Sequence, residues 1–152
     1  MTQETGMTPN AGDRSPPAWF RVIAVVALLW FLMDISAFFM RVLMSDAGID
    51  AMPADQRHLY RDMPRWVNVV FAGEVFGGAL GSVGLLLRRK WALPLFAVSL
   101  LGVLGQTTYI WILSDAISVM GAFAVGAPMM SIVIGAGMIG VTKSARARGW
   151  LR

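Results

Sequence analysis

The sequence predicts an all-α integral membrane protein, a four-helix bundle with a short amphipathic external helix between helices 1 and 2. Three observations carry this. The chain of 152 residues is 57% hydrophobic and only 14% charged, whereas a soluble domain averages about 45–50% apolar and about 25% charged. Its apolar residues fall into four blocks, each long enough to cross a bilayer core at about 1.5 Å rise per residue. Those blocks are apolar throughout instead of alternating over about ten residues, which excludes a membrane β-barrel.

The elements follow in order. Residues 1–17 (MTQETGMTPNAGDRSPP) are polar, carry Pro and Gly and lack periodicity, so a disordered cytoplasmic tail is expected. The transmembrane domain spans 18–143, with helices at about 20–43, 66–87, 91–113 and 117–141. The first apolar run is too long for a signal-peptide h-region and is read as an uncleaved helix. Helix 1 holds eleven Val, Ile, Leu and Phe residues between Val22 and Phe39, worth roughly 3–7 kcal/mol on insertion, which outweighs the roughly 2.5–3.5 kcal/mol cost of Asp34. Between helices 1 and 2, Pro53 opens a short helix whose Leu59, Tyr60 and Met63 give it an apolar side, and Pro64 ends it. His58 lies there with no second ligand nearby in sequence and is expected to be solvated. Pro94 falls in the first turn of helix 3, where it costs little; Pro128 falls inside helix 4 and predicts a kink. Residues 144–152 read as a basic cytoplasmic tail.

Basic residues set the orientation. Arg88, Arg89 and Lys90 follow helix 2, and Lys143, Arg146, Arg148 and Arg152 lie at the C-terminus, whereas the connection between helices 3 and 4 has Asp115 and neither Lys nor Arg. The positive-inside rule puts both termini in the cytoplasm. Arg57, Arg61 and Arg65 in the first external loop run against this without reversing it. Trp19, Trp66, Trp91, Trp111 and Trp150 lie near helix ends, as interfacial anchors do. The net charge of +4 therefore reflects membrane topology and does not imply nucleic acid. With no cysteine, disulfides, thiol nucleophiles and thiolate metal sites are excluded.

Polar side chains inside the spans single out a candidate site. Counting inward from the outer helix ends, Asp34, Glu74 and Gln106 fall about 10–14 Å deep, with Tyr109 one turn above Gln106. Intramembrane acids are costly and default to function. Two such acids at one depth would share a proton or capture a cation, with Arg41 snorkelling outward. The rival reading is interhelical glue, worth about 0.6 kcal/mol per polar residue. Gly73, Gly77 and Gly81 form two overlapping GxxxG steps, a helix-packing face that would lie at or near the interface of a homodimer. The eleven methionines are read as space fillers.

Several strings, LLW at 28–30, MPRWV at 63–67, LLLRRKWA at 85–92, SLLG at 99–102, Gln106 with Tyr109, and the terminal RGWLR, together resemble a family of small four-helix bacterial membrane proteins labelled sugar transporter. The resemblance runs from about Trp19 to the C-terminus and implies a four-helix protein of the bacterial inner membrane. Two functions are expected from different classes. One is a proton-coupled transporter of a small polar solute, with Asp34, Glu74, Gln106 and Tyr109 as the substrate or proton site. The other is a non-transporting scaffold or accessory subunit. No nucleophile–base pair, metal set or cofactor motif is present, so neither catalysis, nor a metal, nor a cofactor is expected.

Overall fold

The computed structural model describes residues 16–152, which form an all-α bundle with no strand among them. Four helices are long and apolar enough to span a bilayer: α1 (Ala18–Val42), α4 (Arg65–Leu86), α5 (Ala92–Thr108, continued by a π-helical turn Tyr109–Leu113) and α7 (Ala122–Ala147). Three short helices, α2 (Asp46–Asp50), α3 (Ala54–Arg61) and α6 (Ala116–Met120), gather at one end. The tail expected over 1–17 lies outside the described residues except for Pro16 and Pro17.

In a bilayer, lipid tails are as apolar as leucine, so helices associate by close packing and hydrogen bonds more than by escape from solvent. The sequence of α4 is built for this. Its Gly77, Gly78, Gly81, Gly84 and Ser82 are all buried. A Cβ on Gly77 would stand 3.0 Å from Leu95 O of α5, and one on Gly81 would meet the Phe96 ring at the same distance. A Cβ on Gly78 would collide with the Phe31 ring of α1. On the facing side, a Cβ on Gly102 would stand 2.5 Å from Val70 O and 2.7 Å from Glu74 N. The α4–α5 backbones therefore touch, and Ser99 Oγ donates to Glu74 O across the seam at 2.7 Å. The glycine face is occupied within the chain: α5 covers Gly77 and Gly81, so a second copy cannot pack on them, and Gly73 alone stays loosely covered.

The helices pack in chain order, α1 on α4, α4 on α5 and α5 on α7. The ring is left open between α1 and α7, where an apolar groove of about 600 Å³ runs along the seam. Exposed Val22, Val26, Leu29 and Met33 on α1 complete the lipid-facing surface. Below the seam, Phe20, Phe31, Leu85, Phe96 and Met138 form the main core.

Helix boundaries differ from expectation in two places. The fourth helix was expected over 117–141, but Gly121, at φ 58°, breaks α6 from α7. At the other end α7 runs on to Ala147, placing Arg146 in its last turn where a cation suits the helix dipole. Residues 144–152 are therefore not a tail. Gly149, at φ 70°, reverses the chain, with Trp150 N–H donating to Ala145 O and Gly149 N–H to Arg146 O, a Schellman closure. Trp150 then stacks edge-on against Trp19 and Phe20, and Arg152 exchanges backbone hydrogen bonds with Arg88 and Lys90. The start of α1, the C-terminal residues and the α4–α5 turn thus meet at one end, opposite the short helices.

Pro128, inside α7, cannot donate to Ala124 O. Trp111 takes that place: its indole Nε1 donates to Ala124 O at 3.1 Å. Trp111, expected as an interfacial anchor, ties the π-helical turn to α7 instead. Trp111→Phe should cost about 1–3 kcal/mol by orphaning that carbonyl. In a Pro128→Ala background, where residue 128 regains its N–H, the cost should shrink. A double-mutant cycle of unfolding equilibria in mixed micelles measures this, and additive penalties would contradict it.

Candidate functional site

A cavity of about 490 Å³ lies at the short-helix end of the bundle. Each long helix reaches it with a stripe at helical spacing: Trp30, Asp34 and Arg41 on α1, Val67, Phe71 and Glu74 on α4, Val103, Gln106 and Ile110 on α5 and its π turn, and Ala124, Pro128 and Ser131 on α7. Such i, i+4 and i+7 positions share one helix face. The short helices close the top. Leu59 and Tyr60 of α3 and Ala116 and Met120 of α6 line the roof, and Leu59, Ala116 and Ala124 form a small core between roof and bundle. The segment between α1 and α4 is therefore a lid over this cavity. Arg57 Nε donates to Met52 O at 2.8 Å and Arg61 pairs with Asp50, tying α3 to the α2 segment.

All four sequence-predicted residues, Asp34, Glu74, Gln106 and Tyr109, line the cavity. Glu74 is 3% exposed. The backbone contact made by Gly102 fixes α5 at the level of Glu74, and Gln106 follows one turn further along α5. Tyr109 is buried and meets Trp66 edge-on at 5.8 Å between ring centroids. It also borders a second hollow of about 370 Å³, lined by His58, Asp62, Ser114 and Asp115. Leu59, Tyr109 and Ser114 border both spaces and so stand between this vestibule under the lid and the cavity with the two acids.

Several polar atoms of the cavity residues have no hydrogen-bond partner among the described residues. Six buried side-chain oxygen or nitrogen atoms lack a hydrogen-bond partner among the described residues, and four belong to cavity residues: Trp30 Nε1, Asp34 Oδ2, Glu74 Oε2 and Gln106 Oε1. Buried polar groups in folded proteins are nearly always paired, and each unpaired one costs about 1–3 kcal/mol. Interhelical glue would satisfy these atoms against one another. Their convergence on shared space is what a ligand site requires.

Sequence reasoning missed three members of the site. Arg41, expected to snorkel outward, turns inward: its guanidinium lies 4.6 Å from the Phe71 ring centroid, and its charge acts on Glu74. The signal was its spacing, seven residues from Asp34 and hence on the same face. Trp30, four residues before Asp34, lies beside that carboxyl. Ser131, one turn beyond Pro128, lies beside the Glu74 carboxyl. On the terminal side of Glu74, Phe31 and Phe96 pack over Gly78 and Gly81, with ring centroids 6.4 Å apart.

Because Glu74 Oε2 makes no hydrogen bond to another helix among the described residues, Glu74→Gln should change stability by less than about 1 kcal/mol. Ser99→Ala, which removes a made interhelical hydrogen bond, should cost about 0.5–1.5 kcal/mol. Denaturant titration in mixed micelles compares the two, and the reverse order would make Glu74 a structural tie. Comparisons with protein-family models, curated proteins and solved structures give no match, so the functional reading stands on these residues.

Proposed function

We propose that this chain is a small proton-coupled membrane transporter whose solute binds in the cavity bounded by Asp34, Glu74, Gln106 and Tyr109. The observation that carries the reading is the set of buried, unpartnered polar atoms from α1, α4 and α5 facing one cavity. Its volume falls in the range of about 300–1,000 Å³ that single small molecules occupy. A buried carboxylate in such a cavity holds either a proton or a cationic group, and alternation between the two couples their movements. Arg41, held over Phe71, keeps the second carboxylate tolerable without closing an ion pair that would occupy the site.

Access follows from the layout. Protons reach the acids through the vestibule of His58, Asp62 and Asp115, past Tyr109. Passage to the other face requires Phe31 and Phe96 to part, the reciprocal closure being made by the lid. The proposed setting is a bacterial inner membrane with both termini and the Arg88–Lys90 turn cytoplasmic; the cations near that turn and the C-terminus support this orientation.

Proteoliposomes carrying an internal pH dye test the proposal with a panel of sugars and organic cations. At least one solute should drive proton movement in the unsubstituted protein, falling at least about tenfold in Glu74→Gln, which corresponds to about 1.4 kcal/mol or more at the coupled step. The lid-end control Asp46→Asn should retain it. Equal proton movement in Glu74→Gln would remove the acid from the coupling. No solute-dependent movement across the panel would favour the scaffold role.

A further inference from the structure

The central cavity and the groove between α1 and α7 share two residues, Trp30 and Met33. The groove opens towards lipid and is lined by apolar side chains from both flanks, among them Val26 and Leu29 of α1 and Ile134, Met138 and Val141 of α7. At its junction with the cavity stands the Trp30 indole, its Nε1 near the Asp34 carboxyl but outside ordinary hydrogen-bond geometry. The ring of helices is otherwise closed by packing, so this seam is where the hydrocarbon layer comes nearest to the buried acids.

The lining chemistry restricts what could use such a path. The cavity walls are mainly apolar and aromatic, with Trp30, Tyr60, Phe71 and Tyr109 around two carboxylates. A sugar would leave most of its hydroxyls against Val67, Phe71 and Val103, each at a desolvation cost. An anion would meet Asp34 and Glu74 across the only guanidinium, which already faces Phe71. A monocation suits both features: carboxylates for its charge and ring faces for cation–π attraction. An apolar body attached to that cation fits the groove.

We propose that the α1–α7 seam is a lateral portal by which an amphiphile with a cationic head and an apolar body reaches Asp34 and Glu74 from the bilayer. This rests on the cavity being a ligand site and adds the ligand's class and its route. The solute thus arrives through lipid, and protons arrive separately through the vestibule beyond Tyr109. Trp30 stands at the meeting point of groove and cavity, where its ring can stack on the head group.

The test uses the full chain in phosphatidylethanolamine–phosphatidylglycerol vesicles and decyltrimethylammonium carrying a photoactivatable diazirine in its chain. Its fixed charge removes any ambiguity about the probe's own protonation. Labelling should map to α1 and α7 around Val26, Met33, Ile134 and Met138. Unlabelled decyltrimethylammonium should compete, and decanol and decyl sulfate should not. Glu74→Gln and Asp34→Asn should each reduce labelling about tenfold, the equivalent of about 1.4 kcal/mol of binding.

Two further variants narrow the groove from either flank. Gly137→Trp starts from a position where a Cβ meets nothing within 4 Å, and Val26→Trp starts from an exposed one, so neither disturbs the core. Both should block labelling in folded protein. Labelling that ignores the acid substitutions, or that decanol displaces equally well, would reduce the groove to ordinary lipid surface and overturn the portal. If proton movement still depended on Glu74 in that case, transport would stand without it. Loss of both dependences would remove the ligand site as well.

Discussion

The backbone contact between α4 and α5 is the constraint from which the rest of the bundle follows. Gly77 and Gly102 let the two helices approach until a methyl group on either would strike the partner's main chain. Ser99 Oγ donates to Glu74 O at that seam. A contact this close admits little sliding, so Glu74 and Gln106 are fixed at neighbouring levels. With α1 seated on Gly78 through Phe31 and α7 laid against α5, Asp34 and Ser131 reach the same level from the other two sides. In lipid, where apolar burial between helices gains little, such fit between surfaces is the principal source of association.

The same packing explains why the polar atoms are tolerated where they are. Small residues are concentrated on the inner face of α4 below Glu74, and Phe31 and Phe96 fill the space they leave. Above Glu74 the facing residues draw back and a cavity remains, roofed by α3 and α6. The bundle is tight in one half and open in the other. The proposed transport would have to invert this asymmetry, and Pro128, with the Ala124 carbonyl taken over by Trp111, gives α7 a place where its own ladder is already interrupted.

Much of the architecture was legible because the signals were long and redundant. Twenty-residue apolar runs define spans almost regardless of detail, and Pro53 and Pro64 bracket the lid helix as expected. The shared depth of Asp34, Glu74 and Gln106 followed from helix rise alone. What escaped were features set by single backbone angles or by side-chain direction. Gly121 separates α6 from α7 through its positive φ, which looks in sequence like any other small residue in an apolar run. The C-terminal residues read as a basic tail because their charges dominate, while Trp150 and Leu151, which anchor them, are only two residues among nine. Arg41 reads as a snorkelling cation because it lies near a helix end, although its seven-residue spacing from Asp34 points inward. Gly77 and Gly81 pack against α5, but whether a glycine stripe meets another copy or the next helix depends on tertiary placement that the sequence does not display.

The claim at the centre of this account is that the four-helix interior contains a cavity, apolar-walled around Asp34 and Glu74, that water reaches from the lid side. The chain has no cysteine, so Ser131→Cys gives a single thiol inside that cavity against no background. Vesicles of one orientation would be treated from each side in turn with a small, charged, membrane-impermeant thiol reagent. The account predicts modification from the side of α3 and α6 and none from the side of the termini. A thiol that resists the charged reagent from both sides yet reacts with a lipid-soluble maleimide would contradict it, placing Ser131 and its neighbours against lipid instead of water.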